Sequence, residues 1–161
     1  MNIYGVIPAR YASTRFPGKP LIDLAGKTMI QRTYDQVASV KGWDQIIIAT
    51  DDERIYQVAQ SFGAAVMMTS ASHVSGTDRC AEVLSNLGDG IDYIVNIQGD
   101  EPLVNPLQLD QLLSAFQEAE VVIATLGIST VDQEDLENPN RIKVVCDHKD
   151  NAIYFSRSVI P

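Results

Sequence analysis

Apolar residues along this chain fall into short runs of two kinds, and the kinds alternate. Ile3–Ile7, Gln45–Thr50 (QIIIAT), Ala64–Met67 and Tyr93–Ile97 are near-continuous apolar stretches of strand length. The segments between them carry apolar residues at helical spacing. Met29, Ile30, Tyr34 and Val37 mark one face of a helix over Met29–Ser39. Ile55, Val58, Ala59 and Phe62 do the same in DDERIYQVAQSFG (51–63), which opens on acids and closes on Gly63. Those are helix start and stop signals. Thr77–Leu87, with Asp78 in its first turn, and Pro106–Ala119, with proline near its first position, predict two more helices. VVIATLGI (121–128) and KVVCD (143–147) read as strands, and Ala152–Ser156 pairs with the second of them as a hairpin.

Strands alternating with helices imply βαβ units. The predicted fold is α/β: a Rossmann-like three-layer sandwich, with a mostly parallel sheet and helices on both faces. Continuous apolar strands suit a sheet covered on both sides. No repeat, low-complexity segment or linker interrupts residues 1–161, so one domain is expected. YFSRSVIP (154–161) ends on apolar residues without a polar tail, which suggests a chain cut inside its domain.

Charge sharpens this picture. The 161 residues hold 12 Lys+Arg against 21 Asp+Glu, a net charge of −9. That balance argues against a nucleic-acid binder, whose footprint is basic. No apolar run is long enough to span a membrane. No basic segment precedes an apolar stretch at the N-terminus, as a secretory signal requires. A cytoplasmic protein is expected. Cys80 and Cys146 match neither a disulfide framework nor a metal motif, and read as reduced core thiols.

Against that acidic background, IPARYASTRFPGKPL (7–21) stands out. Arg10, Arg15 and Lys19 lie there, and Asp23 is the only acid in the first 32 residues. The loop leaves the carboxyl end of the first strand, where open α/β sheets bind ligands. Ala9, Ala12, Ser13 and Gly18 are small enough to let backbone amides approach an anion, and the three cations supply charge. Neither a Walker loop nor a G-x-G-x-x-G motif is present, so the phosphate would be held by this loop in its own way.

A further segment sits at another strand's carboxyl end, beside this loop if the sheet is parallel, and one more opens a helix. In NIQGDEP (96–102), Asp100 and Glu101 follow the strand Tyr93–Ile97. A hard cation such as Mg²⁺ takes carboxylate oxygen together with substrate phosphates, and Asp100 fits that task. HVSGTDR (73–79) opens a helix that Ser75 or Thr77 caps, and a helix start also offers free amides to a ligand. Arg79 there can hold a carboxylate or phosphate with two bonds. Asp51 and Asp52 begin a helix, whose dipole favours acids at that end.

IPARYASTRFPGKPL, ATDDERI (49–55), HVSGTDR, NIQGDEP, NPNRIKVV (138–145) and YFSRSVIP resemble, in this order, the sugar-acid cytidylyltransferases. The likeness is strongest to those that act on 3-deoxy-manno-octulosonate (KDO), and it covers the whole chain. It implies the nucleotide-diphospho-sugar transferase variant of the fold. It also implies transfer of a cytidylyl group from CTP to the sugar acid, giving CMP-KDO and pyrophosphate for lipopolysaccharide synthesis. Arg10, Arg15, Lys19 and Asp100 are then catalytic, with Mg²⁺ on Asp100. Ala9, Ser13, His73, Ser75, Gly76, Arg79, Gln98 and Arg157 bind substrate, Arg157 facing the sugar acid. The resemblance further implies a homodimeric full-length protein, with a second metal carboxylate and much of the acceptor site beyond residue 161. Two alternatives stay open: another sugar acid such as sialic acid as acceptor, or a nucleotide-binding module without catalysis.

Overall fold

Ile3–Ala9 forms β1, the strand about which the larger sheet is built. In the computed structural model, residues 1–12, 16–129 and 132–160 are described, and they fall into two compact units, Met1–Val121 and Val122–Pro161. In the first unit β1 is followed by a short 3₁₀ turn (Lys19–Leu21) and α1 (Met29–Ala38). Then come β2 (Gln45–Thr50), α2 (Glu53–Ser61), β3 (Ala65–Met68), α3 (Gly76–Leu87), β4 (Tyr93–Asn96) and α4 (Pro106–Ala115). The four strands are all parallel, in the order β3-β2-β1-β4. This is the predicted Rossmann-like sandwich.

The order explains why β1 and β2 read as apolar throughout. Side chains alternate between sheet faces, and both faces of these strands are covered. Val6 packs with Ile47, Ala49, Cys80 and Val83, on the face that α3 covers. Ile7 points the other way, toward Ile30 of α1 and the backbone of Gly99. Right-handed crossovers require this division, because the chain moves outward from β1 to β3 and then back across β1 to β4.

Local signals set most boundaries. Thr28, Asp52, Ser75 and Asn105 cap α1 to α4 by accepting a backbone N–H. Asp52 behaves as the expected helix-start acid, whereas Asp51 does not: it pairs with Arg79. α4 stops at Ala115 rather than Ala119, because Phe116 turns inward and stacks on Tyr93 with ring centroids 4.2 Å apart.

The second unit holds α5 (Gln133–Glu137) and an antiparallel hairpin of β5 (Lys143–Cys146) and β6 (Ala152–Ser156), with an irregularity between Val145 and Cys146. The hairpin was expected and α5 was not, being only five residues long. Lys143 is buried, its ammonium donating to the carbonyls of Asn138 (2.9 Å), Arg141 (2.9 Å) and Arg157 (2.6 Å). Three expectations fail here. VVIATLGI forms no strand; no ladder partner binds it among the described residues, and Ile123 is 89% exposed. β5 and β6 are not covered on both faces: Val144, Ile153 and Tyr154 are exposed. Cys146, on β5, is exposed rather than a core thiol, whereas Cys80 is buried and burial pushes its thiol up to about 11. An apolar run reports a preference for burial. Whether a partner surface meets it is decided elsewhere in the chain.

Candidate active site

The chain leaves β1 toward β2 on one side and later returns to place β4 on the other. Strand order therefore reverses between β1 and β4, and the strand ends splay into a crevice at this switch point. A cleft of about 570 Å³ opens there, within the first unit. Ala9 at the end of β1 and Arg10 and Lys19 after it line the cleft, with Gln98 and Asp100 from the loop after β4, His73 and Ser75 from the approach to α3, and Gly76 and Arg79 from its first turn. Three segments separated widely in sequence thus meet at one cleft. Ser13 and Arg15 lie outside the described residues. Arg157 belongs to the second unit, where its guanidinium donates to the Pro139 carbonyl at 3.1 Å.

The walls approach closely because Gly99 lacks a side chain. A Cβ at Gly99 would stand 2.7 Å from the Pro8 carbonyl oxygen, closer than such atoms approach. The Gly99 carbonyl also accepts the Thr33 hydroxyl at 3.3 Å, tying this loop to α1. Gly99→Ala is expected to force the two strand ends apart and destabilise the unit by about 1–3 kcal/mol, the usual cost of overpacking. It should weaken nucleotide binding as well. Chemical denaturation and a CTP titration check it; an unchanged variant in both would mean that the loop yields without consequence.

Across the gap the Lys19 ammonium donates to Asp100 Oδ2 at 2.5 Å. The two side chains are 38% and 50% exposed, so solvent screens the pair and a charged ligand can replace it cheaply. Lys19 would offer its charge to a phosphate, and Asp100 its oxygens to a cation. Arg10 is exposed on the same wall. Glu101, adjacent to Asp100, is exposed too, but it does not line the cleft.

The α3 side is held more rigidly. Ser75 accepts the Asp78 N–H through its hydroxyl at 3.1 Å, and Asp78 accepts the Ser75 N–H at 3.1 Å, a complete capping box. The Ser75 side chain is therefore engaged in the helix start. His73 Nε2 bonds to Glu82, which also accepts the Ser70 N–H at 2.8 Å. The Ser70 amide, followed by His73, holds the Glu82 carboxyl below its ordinary range.

Arg79 corrects an expectation. Its side chain is only 3% exposed, and its Nη2 donates to Asp51 Oδ2 at 2.8 Å while Nη1 donates to the Thr69 hydroxyl. Thr69 in turn donates to the Thr50 carbonyl through its hydroxyl (3.0 Å) and its amide (2.8 Å). A guanidinium taken out of water needs such partners. Arg79 is thus a brace that ties α3 to the ends of β2 and β3, with two of its nitrogens already engaged before any ligand arrives. Sequence reasoning left Asp51 to the helix dipole, and no local spacing links residues 28 positions apart. It also left out Pro8, Phe16 and Pro20, which line the cleft but carry no chemical signature.

A family model for cytidylyltransferases matches residues 4–161. The chain belongs to the cytidylyltransferase family. It is 52% identical over 165 residues to the 3-deoxy-manno-octulosonate cytidylyltransferase of Parabacteroides distasonis, and this match covers 100% of the chain and 65% of that protein. It is 46% identical over 164 residues to the 8-amino-3,8-dideoxy-manno-octulosonate cytidylyltransferase of Shewanella frigidimarina, covering 100% of the chain and 67% of that protein. Among solved structures, CMP:2-keto-3-deoxy-manno-octonic acid synthetase complexed with CTP matches with a TM-score of 0.93 at 41% identity, over 100% of the chain and 66% of that structure. The chain thus spans about two thirds of the length of these relatives. This member of the family gathers a lysine, two arginines and a carboxylate at one strand-end cleft.

Proposed function

We propose that the protein carrying this chain transfers the cytidylyl group of CTP to 3-deoxy-manno-octulosonate and releases pyrophosphate. The observation that carries this reading is the Lys19–Asp100 pair, bridging a cleft at the switch point of a chain 52% identical to a protein of that name. The anomeric hydroxyl of the sugar attacks the α-phosphorus in line. The bond from that phosphorus to the bridging oxygen breaks, and pyrophosphate leaves. Such a transfer needs positioning and charge neutralisation more than covalent chemistry. Lys19 and Arg10, with Arg15, neutralise the triphosphate and the departing pyrophosphate. Gly76 and the capped start of α3 present backbone to the nucleotide. Gln98 and His73 border the substrates, and Arg157 is assigned to the acid sugar.

Among the described residues, no group of three or more His, Cys, Asp or Glu gathers to hold a metal by protein ligands alone. Asp100 in the cleft offers the kind of ligand Mg²⁺ takes, since that ion accepts one or two carboxylates and completes its shell with phosphate oxygens and water. Asp100 would hold it. When bound, Mg²⁺ supplies positive charge at the phosphate oxygens. No helix among the described residues is long and apolar enough to cross a membrane. We place the reaction in the cytoplasm, where nucleoside triphosphates are held, and assign residues 1–161 to one catalytic domain of a homodimer.

The relatives at 46% identity favour a second acceptor, the 8-amino-3,8-dideoxy sugar acid. Pyrophosphate release with CTP against a panel of both octulosonates and sialic acid decides among them. Binding of CTP without turnover on any acceptor would instead indicate a non-catalytic module. CTP with Mg²⁺ is expected to raise the melting temperature more than ATP or GTP does. Equal shifts for all three would reduce the site to general phosphate recognition.

A further inference from the structure

Two residues outside the cleft act on the loop that supplies its lysine. Arg54, in the first turn of α2, lays its guanidinium carbon 3.3 Å from the centroid of the Tyr11 ring. Asp52 holds that guanidinium in place with two bonds, Nε to Oδ1 at 2.9 Å and Nη2 to Oδ2 at 2.6 Å. Asp52 is itself anchored as the cap of α2, accepting the Arg54 amide at 3.0 Å. The stack therefore rests on a helix end rather than on a free side chain.

Tyr11 carries this anchorage to the base of the basic loop. Its carbonyl accepts the Gly18 amide at 2.9 Å. Its ring lies so close over Gly18 that a Cβ there would meet ring atoms at 3.0 and 3.1 Å. Gly18 has a φ of 73°, a left-handed conformation that favours glycine. It directly precedes Lys19, and its carbonyl accepts the Leu21 amide at 2.9 Å, closing the 3₁₀ turn on which Lys19 stands. Neither Tyr11 nor Arg54 lines the cleft.

We propose that Arg54 and Tyr11 form a positioning clamp that orients Lys19 toward the triphosphate of a bound nucleotide. This rests on the reading of the cleft as a CTP site. The clamp works through shape. A planar guanidinium stacks on an aromatic face, and a lysine at the same place does not reproduce it. The stack is made on the face of the Tyr11 ring.

CTP·Mg²⁺ affinity by calorimetry, with the nucleotide-free melting temperature beside it, tests the clamp. Tyr11→Leu and Arg54→Gln are each expected to weaken binding about two- to fivefold, the worth of a cation–π contact at an exposed site. Tyr11→Phe keeps the ring and should bind as the wild type does. The Tyr11→Leu/Arg54→Gln double variant should lose no more than either single one. Nucleotide-free melting temperatures should fall by no more than about 2–4 °C, the shift that the loss of one such contact gives in a protein of this size. Wild-type affinity in Tyr11→Leu overturns the clamp, as does an equal loss in Tyr11→Phe and Tyr11→Leu. Single losses that multiply in the double variant also overturn it, since Arg54 would then meet the phosphate on its own. Lys19→Ala separates the clamp from the site. It should weaken binding about tenfold or more, as a lost charge-assisted bond does. An unchanged Lys19→Ala overturns the CTP site itself, and the clamp with it.

Discussion

Replacing Arg79 by methionine is expected to destabilise the first unit by about 3–5 kcal/mol, because it breaks a buried ion pair from one side. Methionine fills much of the same volume but leaves the Asp51 carboxylate, only 13% exposed, without its cation. The Thr69 hydroxyl loses its donor at the same time. The ends of β2 and β3, joined through Thr69 and Thr50, then lose their tie to α3. Urea denaturation of Arg79→Met measures the loss. The Asp51→Asn/Arg79→Met double variant should recover part of it, since no orphaned charge remains. Arg79→Lys should recover little, because a single ammonium does not reach both partners in the planar geometry. A loss below about 1 kcal/mol in Arg79→Met would place this pair with ordinary surface pairs. It would return Arg79 to the ligand-facing role expected from its motif.

Asp100→Asn is expected to have the opposite profile: little change in stability and a large loss of turnover. The Lys19–Asp100 pair is exposed on both sides, so losing it should cost the fold about 0–1 kcal/mol. The amide keeps the size of the carboxyl group but not the charge that a hard cation needs. Pyrophosphate release should fall on the order of 10²-fold or more, the scale seen when one preorganised stabiliser of transition-state charge is removed. CTP binding without metal should be little changed, while CTP·Mg²⁺ binding weakens. Stopped-assay pyrophosphate release over a Mg²⁺ series, with denaturation midpoints alongside, gives all of these quantities. Normal turnover at low Mg²⁺ would remove Asp100 from the metal assignment and make exposed Glu101 the next residue to substitute. The two arginine and aspartate variants thus differ for one reason, which is burial. Ion pairs with similar contact distances (2.8 and 2.5 Å) carry structure in one case and remain available to a ligand in the other.

Much of the fold was legible because its information is local. A strand reads as a short apolar run and a helix as a 3.6-residue period, and both are properties of neighbouring residues. The parallel sandwich, its four helix starts and the β5–β6 hairpin followed from such patterns. So did the choice of the loops after two strands for one site, while the segment 73–79 was added to it by the family resemblance. Lys19, Arg10 and Asp100 were named from residue type and position and Gln98 from the family resemblance, and the structure brings them to one cleft.

What the chain's pattern left open was pairing at a distance. The same apolar composition gave a covered strand at Ile3–Ala9 and no strand at 121–128, because among the described residues only the first has neighbours to complete its hydrogen bonds. Cys80 and Cys146 look alike in sequence and end with opposite exposure. Arg79 appeared as a ligand-binding arginine, yet its burial against Asp51 makes it a brace. By itself the sequence determined which residues prefer to be inside, where helices begin and which chemical groups stand at strand ends. Only the tertiary structure decided that strand order reverses beside β1 and that Gly99 lets two loops close to contact. It alone decided which charges are removed from water. Those outcomes depend on the meeting of segments as far apart as Pro8 and Gly99, and the cost of burying a charge is set by everything that surrounds it once they meet.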